Sequence, residues 1–262
     1  MLLLHCMAQP GRNRAWLLSH DTETLTPEAQ ALLSHSLERH QAGEPLAYIT
    51  GHKAFYDLDL LVDARVLVPR ADTETLVDWA IDAMQDKPQA QVLDLGTGSG
   101  AIALALKHER PAWTLSAVDT SPAALAVAQA NAKRLQLEVA FYQGCWLEGL
   151  PNAKPNRFDA IVANPPYIAQ NDLHLLALTH EPIQALTSGP DGLNDLRRII
   201  SQAAAHLHPG GWLLLEHGYN QAQAVRNLLL AAGFRAVQSR VDMAGIERCS
   251  GGCLLQVDSE KI

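Results

Sequence analysis

The chain has 262 residues, 48% hydrophobic and 18% charged, and a net charge of −8. That length suits one large domain, or one domain with a smaller appendage, and no apolar run approaches the roughly 20 residues a membrane helix needs. The first 88 residues carry 7 Lys+Arg against 13 Asp+Glu, which disfavours non-specific binding to a phosphate backbone. Met1-Leu2-Leu3-Leu4 lacks the basic start and the length of a signal peptide, so the cytoplasm is the expected location. Cys6, Cys145, Cys249 and Cys253 are scattered, with no second pair or histidine to complete a zinc set. They read as reduced, buried thiols, and no metal site is expected.

Residues 1–46 read as helices. Trp16-Leu17-Leu18, Ala29, Leu32, Leu33 and Leu37 recur at helical spacing. Thr26 is placed to cap a helix with Pro27 at its first position, and Gly43-Glu44-Pro45 stops it. From Tyr48 to Val68 the pattern turns toward strands, which predicts a linking hairpin over 47–70. From about residue 90 strands and helices alternate. Val92–Leu95 precedes a glycine turn and the helix Ala101–Lys107. Trp113–Val118 is a strand, and Ser121-Pro122 opens a helix through Arg134. Leu137–Tyr142 and Phe158–Ala163 are the third and fourth strands. A helix near 194–206, the strand Trp212–Glu216, a helix over 220–232, the strand Phe234–Arg240 and a last strand Cys253–Val257 complete the series. This rhythm predicts an α/β domain over 71–262, with a doubly wound, mostly parallel sheet and a last antiparallel strand.

Two places carry chemistry. The first is Asp94-Leu95-Gly96-Thr97-Gly98-Ser99-Gly100, between the first strand of the series and its helix. Glycines there let the backbone turn tightly and pass close to a ligand, and the helix start leaves N–H groups free. The G-x-G-x-G spacing suits a pyrophosphate less well than G-x-G-x-x-G does. Asp119 closes the next strand, where a carboxylate can accept both hydroxyls of a ribose. The pair is similar to the S-adenosylmethionine fingerprint of the Rossmann-like class I methyltransferases.

The second is Asn164-Pro165-Pro166-Tyr167, directly after the apolar run Phe158–Ala163. Each proline removes a donor and holds the residue before it extended. The Asn164 side-chain oxygen and the Pro165 carbonyl are then acceptors for the two hydrogens of one –NH2 group, and Tyr167 offers a flat face. A Pro-Pro turn with a core tyrosine would read the same way. The position at the carboxyl edge of a parallel strand favours the functional reading.

The combination resembles the amino-methyltransferases with an Asn/Asp-Pro-Pro-Tyr motif. Within them it is similar to the HemK-type protein-(glutamine-N5) methyltransferases that modify peptide chain release factors. Val68-Pro69-Arg70-Ala71-Asp72-Thr73-Glu74, Glu181-Pro182, Gly189-Pro190-Asp191-Gly192-Leu193, Leu207-His208-Pro209-Gly210-Gly211-Trp212, Glu216-His217-Gly218 and Asp242 with Gly245 and Arg248 all match that family's segments. The resemblance runs from about residue 2 to 257. It implies S-adenosylmethionine as cofactor, contacted by Gly96, Thr97, Gly98, Ser99, Gly100, Asp119, Trp146 and Asn164, with Trp146 by the adenine. It implies a substrate glutamine, in a Gly-Gly-Gln loop of a release factor, held by Asn164, Pro165, Pro166 and Tyr167. Asn164, Pro165 and Tyr167 would carry the catalysis, with Glu181 and Asp72 as structural hydrogen-bonding residues. The helices of 1–46 would recognise the substrate; the resemblance implies a domain shortened by a first helix ahead of Leu2-Leu3-Leu4-His5, and Ala71-Asp72 stands where the family has Pro-Glu. A monomer is expected. The competing reading is a nucleic-acid adenine-N6 or guanine-N2 methyltransferase, which shares the tetrapeptide but calls for a basic target-recognition insert.

Overall fold

The computed structural model describes residues 1–7, 14–151 and 157–255. Four helices come first: α1 (Leu2–Met7), α2 (Arg14–Ser19), α3 (Pro27–Gln41) and α4 (Leu46–Thr50). As the sequence predicts, Thr26 caps α3, its hydroxyl accepting from the Ala29 N–H at 3.2 Å, and Pro27 occupies the first turn. A hairpin of β1 (His52–Phe55) and β2 (Leu58–Leu61) follows, then α5 (Glu74–Ala83). The remainder alternates: β3 (Gln91–Leu95), α6 (Ala101–Glu109), β4 (Thr114–Asp119), α7 (Pro122–Leu135), β5 (Val139–Gln143), β6 (Phe158–Ala163), α8 (Asn194–Ala203), β7 (Leu207–Glu216), α9 (Ala222–Ala231), β8 (Arg235–Val241) and β9 (Glu247–Cys253).

Among the described residues the main sheet has seven strands in the order β5-β4-β3-β6-β7-β9-β8. The ladders from β5 to β7 are parallel, and β9 runs antiparallel to both β7 and β8. Strands buried on both faces read as unbroken apolar runs, and their side chains alternate between two cores. Along β6, Ala160 and Val162 join Leu76, Trp79, Leu104 and Val127 on the face covered by α5, α6 and α7. Ile161 and Ala163 join Leu196, Ile199, Val225 and Leu229 on the face covered by α8 and α9.

Three sequence expectations change. Tyr48 does not start a strand: Pro45 and Gly51, the latter at φ 75°, bound the short helix α4, and the Tyr48 hydroxyl donates to the Val66 carbonyl at 2.5 Å. Val66 and Val68 lie beyond β2, buried in a non-strand segment whose Val68 N–H is bound by Glu181 rather than by a ladder. The last strand is Glu247–Cys253, six residues earlier than expected, and Gln256 and Val257 lie outside the described residues. Glu247-Arg248-Cys249-Ser250-Gly251-Gly252-Cys253 has little strand propensity of its own. Pairing on both edges makes it a strand, since β-propensity yields readily to context. Helix α5 carries no start signal strong enough to be expected from sequence; Thr73 provides no side-chain cap, and burial of Leu76, Val77, Trp79 and Ala80 holds it in place.

Asn131, fully buried in α7, joins the hairpin to the main domain. Its Oδ1 accepts from the Leu61 N–H at 2.7 Å, and its Nδ2 donates to the carbonyls of Leu61 and Ser99, both at 3.0 Å. Asn131→Ala removes all three bonds and leaves a cavity, so urea unfolding should show a loss of about 2–4 kcal/mol. Amide exchange at Leu61 should speed up as well. A loss below about 0.5 kcal/mol would contradict this coupling.

Candidate active site

The register of the parallel strands builds the site. Leu95 pairs with Val118 on one side and Ala163 on the other, and Ala163 pairs with Leu215. The next residue on each strand is therefore Asp119, Gly96, Asn164 or Glu216, four positions in one row along the carboxyl edge. Strand β3 has β4 and β6 as its two neighbours, so the row crosses the point where strand order reverses. Open α/β sheets bind ligands there.

A cavity of about 220 Å³ opens at this row. It brings together Gly96, Thr97, Gly98, Ser99, Asp119, Trp146, Asn164 and Pro166 from the sequence-derived set. Gly100, Pro165 and Tyr167 lie outside its lining. Gly100 sits at φ 85°, and a Cβ there would meet Leu104 Cδ1 at 3.0 Å and Ala128 Cβ at 3.3 Å, so its smallness also serves the packing of α6 on α7. Pro165 is buried behind Asn164. Tyr167 packs against the core of the α8 and α9 face, with its hydroxyl donating to Glu216 Oε1 at 3.3 Å.

The glycine loop is held from two sides. Asp119 Oδ2 accepts the Gly98 N–H and its Oδ1 accepts the Ser121 N–H, both at 2.8 Å. Ser121, not Asp119, caps α7 through the Ala124 N–H at 3.2 Å. Each Asp119 oxygen keeps a further lone pair for a ligand hydroxyl. Burial raises the Asp119 carboxyl, and the backbone donors pull it back down. Behind the loop, Asp94 is fully buried and accepts the Thr97 hydroxyl at 2.6 Å and the Ala103 N–H at 3.3 Å through Oδ2. Its Oδ1 has no partner among the described residues.

Trp146 lies on the loop, and a Cβ at Gly96 would stand 3.1 Å from Trp146 Cζ3. Its own φ of 50° is unusual for a bulky residue and costs on the order of 1–3 kcal/mol. The indole N–H donates to Asp195 Oδ1 at 3.1 Å, and Ser188 in turn donates to Asp195 Oδ2 at 2.6 Å. On the other side of the cavity Arg70 forms an ion pair with buried Glu181, which also accepts the Val68 N–H at 3.0 Å. Asp72 lies 3.4 Å from Arg248, so both acids serve the framework.

Sequence reasoning missed Thr73, Asp195 and the role of Glu216. Asn164 Nδ2 donates to Thr73 Oγ1 at 3.2 Å. Glu216 is 1% exposed, and burial pushes its carboxyl up to about 7. An acid closing the otherwise apolar Trp212–Leu215 run was a readable signal for Glu216. Nothing in the sequence points to Asp195.

A small-molecule donor with hydroxyls, a flat ring and a charged tail suits this cradle. Asp119 with its open lone pairs, the ring of Trp146 and the bare glycine backbone line the cavity, and Asp94 stays buried behind the loop. Fold and crevice define a class I methyltransferase. Over residues 73–189 the chain matches the model of the Methyltransferase small domain, and over residues 1–51 that of the PrmC N-terminal domain. It is 45% identical over 248 residues to the release factor glutamine methyltransferase of Coxiella burnetii, covering 94% of this chain and 88% of that protein. It is 48% identical over 246 residues to the one of Bordetella pertussis, covering 93% and 90%. A solved methyltransferase from Pyrococcus furiosus shares the fold at 17% identity, with a TM-score of 0.58 over 85% of this chain and 99% of that one. The chain belongs to the release factor glutamine methyltransferase family.

Asp94 gives a pH test of the buried site. Burial pushes its carboxyl up to about 7, whereas an unfolded aspartate ionises near 3.9. Between those values the unfolded chain has lost a proton that the folded chain keeps, so stability falls as pH rises. Asp94→Asn keeps an acceptor for Thr97 and Ala103 and cannot ionise. Its stability relative to wild type should rise by about 1–3 kcal/mol between about pH 5 and pH 8 by chemical denaturation. A difference that stays constant with pH would refute the buried-acid account.

Proposed function

We propose that the chain transfers a methyl group from S-adenosylmethionine to the side-chain amide N5 of the glutamine in the Gly-Gly-Gln loop of peptide chain release factors. The observation that carries this is the placement of Asn164. It stands beside the glycine loop in the edge row and lines the same cavity, with its NH2 end bound to Thr73. Its Oδ1 is then left to accept a hydrogen from an incoming amide. The names and identities of the relatives support the same substrate class.

In this reading Gly96 to Gly100 cradle the cofactor, Asp119 binds its ribose and Trp146 lies by its adenine. When bound, S-adenosylmethionine supplies a methyl group on a positively charged sulfur. Residues 1–46 recognise the release factor, 47–70 link them to the catalytic domain, and 71–262 hold the chemistry. An amide nitrogen is a poor nucleophile, because its lone pair is delocalised into a bond whose rotation barrier is about 18–20 kcal/mol. Asn164 Oδ1 and the Pro165 carbonyl each accept one amide hydrogen, which raises electron density on nitrogen and fixes its direction. Pro166 and Tyr167 hold that rim rigid, and Tyr167 offers a face for the planar group. Positioning of this kind can supply several kcal/mol of barrier reduction. The methylated nitrogen is acidic enough to release its proton to water, so no dedicated base is assigned.

Labelled methyl transfer to a release factor tests the proposal, with a Gln→Ala release factor as control. Asn164→Ala should lower turnover by about 10²–10³-fold while cofactor affinity changes only a few-fold. Unchanged turnover, or equal labelling of the Gln→Ala control, would overturn it.

A further inference from the structure

A side-chain amide can turn either its oxygen or its NH2 toward a ligand, and only the oxygen serves an N–H donor. In the structure Asn164 Nδ2 is committed to Thr73 Oγ1 at 3.2 Å. Thr73 is itself 4% exposed, in the single turn Ala71–Thr73 ahead of α5. A hydroxyl has one hydrogen to give. Where a carboxylate takes that hydrogen, the hydroxyl oxygen remains as acceptor only, and only an NH2 end can face it.

Glu216 is the carboxylate in place. The Thr73 hydroxyl is near enough to hold its carboxyl down against burial, with no hydrogen bond in full geometry between them. Its Oε1 accepts from Tyr167 at 3.3 Å, and its Oε2 has no hydrogen-bond partner among the described residues, which leaves it open to the Thr73 hydrogen. One buried carboxylate thus binds Tyr167 directly and stands near Thr73, the partner of Asn164. Strand register puts it there, since Asn164 and Glu216 follow the paired residues Ala163 and Leu215.

We propose that Thr73 and Glu216 are positioning residues that set the polarity of the rim: ionised Glu216 takes the Thr73 hydrogen, Thr73 takes an Asn164 N–H, and Asn164 Oδ1 is thereby fixed toward the substrate amide. The proposal rests on the methyl-transfer reading above. Protonated Glu216 reverses the chain. It donates to Thr73 Oγ1, the Thr73 hydrogen turns to Asn164 Oδ1, and the NH2 end faces the substrate. The groups facing Glu216 are Arg248 and Cys249 from β9, Tyr167 from the loop after β6, and Asp72 and Thr73 from the turn ahead of α5. Burial pushes the Glu216 carboxyl up to about 7, so the reversal falls within reach of ordinary assays.

The test compares Thr73→Val, Thr73→Ser and Glu216→Gln in the full chain, with release factor as substrate and cofactor affinity measured by calorimetry. Thr73→Val keeps the shape and loses the hydroxyl. It should lower kcat about 10–100-fold with cofactor Kd within about twofold, and Thr73→Ser should recover to within about threefold of wild type. Wild-type kcat should fall as pH drops below about 7, and Glu216→Gln should be slow and flat over the same range. A wild type that labels no release factor overturns the function above and this proposal with it. An active wild type overturns this proposal alone if Thr73→Val matches it, if Thr73→Ser is as slow as Thr73→Val, or if Glu216→Gln keeps the low-pH fall.

Discussion

The parallel ladder that aligns Leu95 with Val118 and Ala163, and Ala163 with Leu215, is the constraint on which the site depends. It sets Asp119, Gly96, Asn164 and Glu216 side by side at intervals of about 4.8 Å. A slip of one residue in any strand would turn its edge residue to the opposite face. Register is protected by burial, because β3, β6 and β7 feed apolar side chains to both cores. The packing that makes the sheet stable therefore also fixes the distance between the cofactor loop and the tetrapeptide rim.

Two carboxyls are buried behind that edge, Asp94 behind the glycine loop and Glu216 behind the rim. Neither has a cation at contact distance among the described residues, and both are pushed up to about 7 by burial. Burying such groups costs stability that a hydrophobic residue of the same volume would not cost. Each instead orients a hydroxyl: Asp94 holds that of Thr97 in the loop, and Glu216 accepts that of Tyr167 beside the rim. Trp146 repeats the pattern in the backbone, where a positive φ is held by Asp195 and Ser188. Strain and buried charge gather in the parts that must face a ligand in one orientation only.

Much of this was legible in the sequence. Capping residues and turn residues act locally, so Thr26-Pro27 and Ser121-Pro122 marked the starts of α3 and α7. The apolar run of β6, broken only by Asp159, gave its bounds without error. Reading failed where structure is imposed from a distance. Helix α4 is bounded by Pro45 and Gly51, yet Tyr48 and Ile49 look like strand residues in isolation. The Ser-Gly-Gly stretch of β9 is a strand because β7 and β8 supply partners on both sides. Asp195, thirty-one residues beyond Asn164 in the numbering, reaches Trp146 only after α8 has packed against the sheet.

The amino-acid sequence by itself determined the alternation of strands and helices, the glycine loop with its acidic partner, and the Asn-Pro-Pro-Tyr rim. These are set by neighbours in the chain, through proline geometry, glycine freedom and apolar periodicity. Tertiary structure alone decided which way the Asn164 amide faces. Its NH2 end binds Thr73, 91 residues upstream, and Glu216 stands beside it on the adjacent strand. A hydrogen-bond direction is a property of the groups at both of its ends. Only the fold brings these three residues within reach of one another.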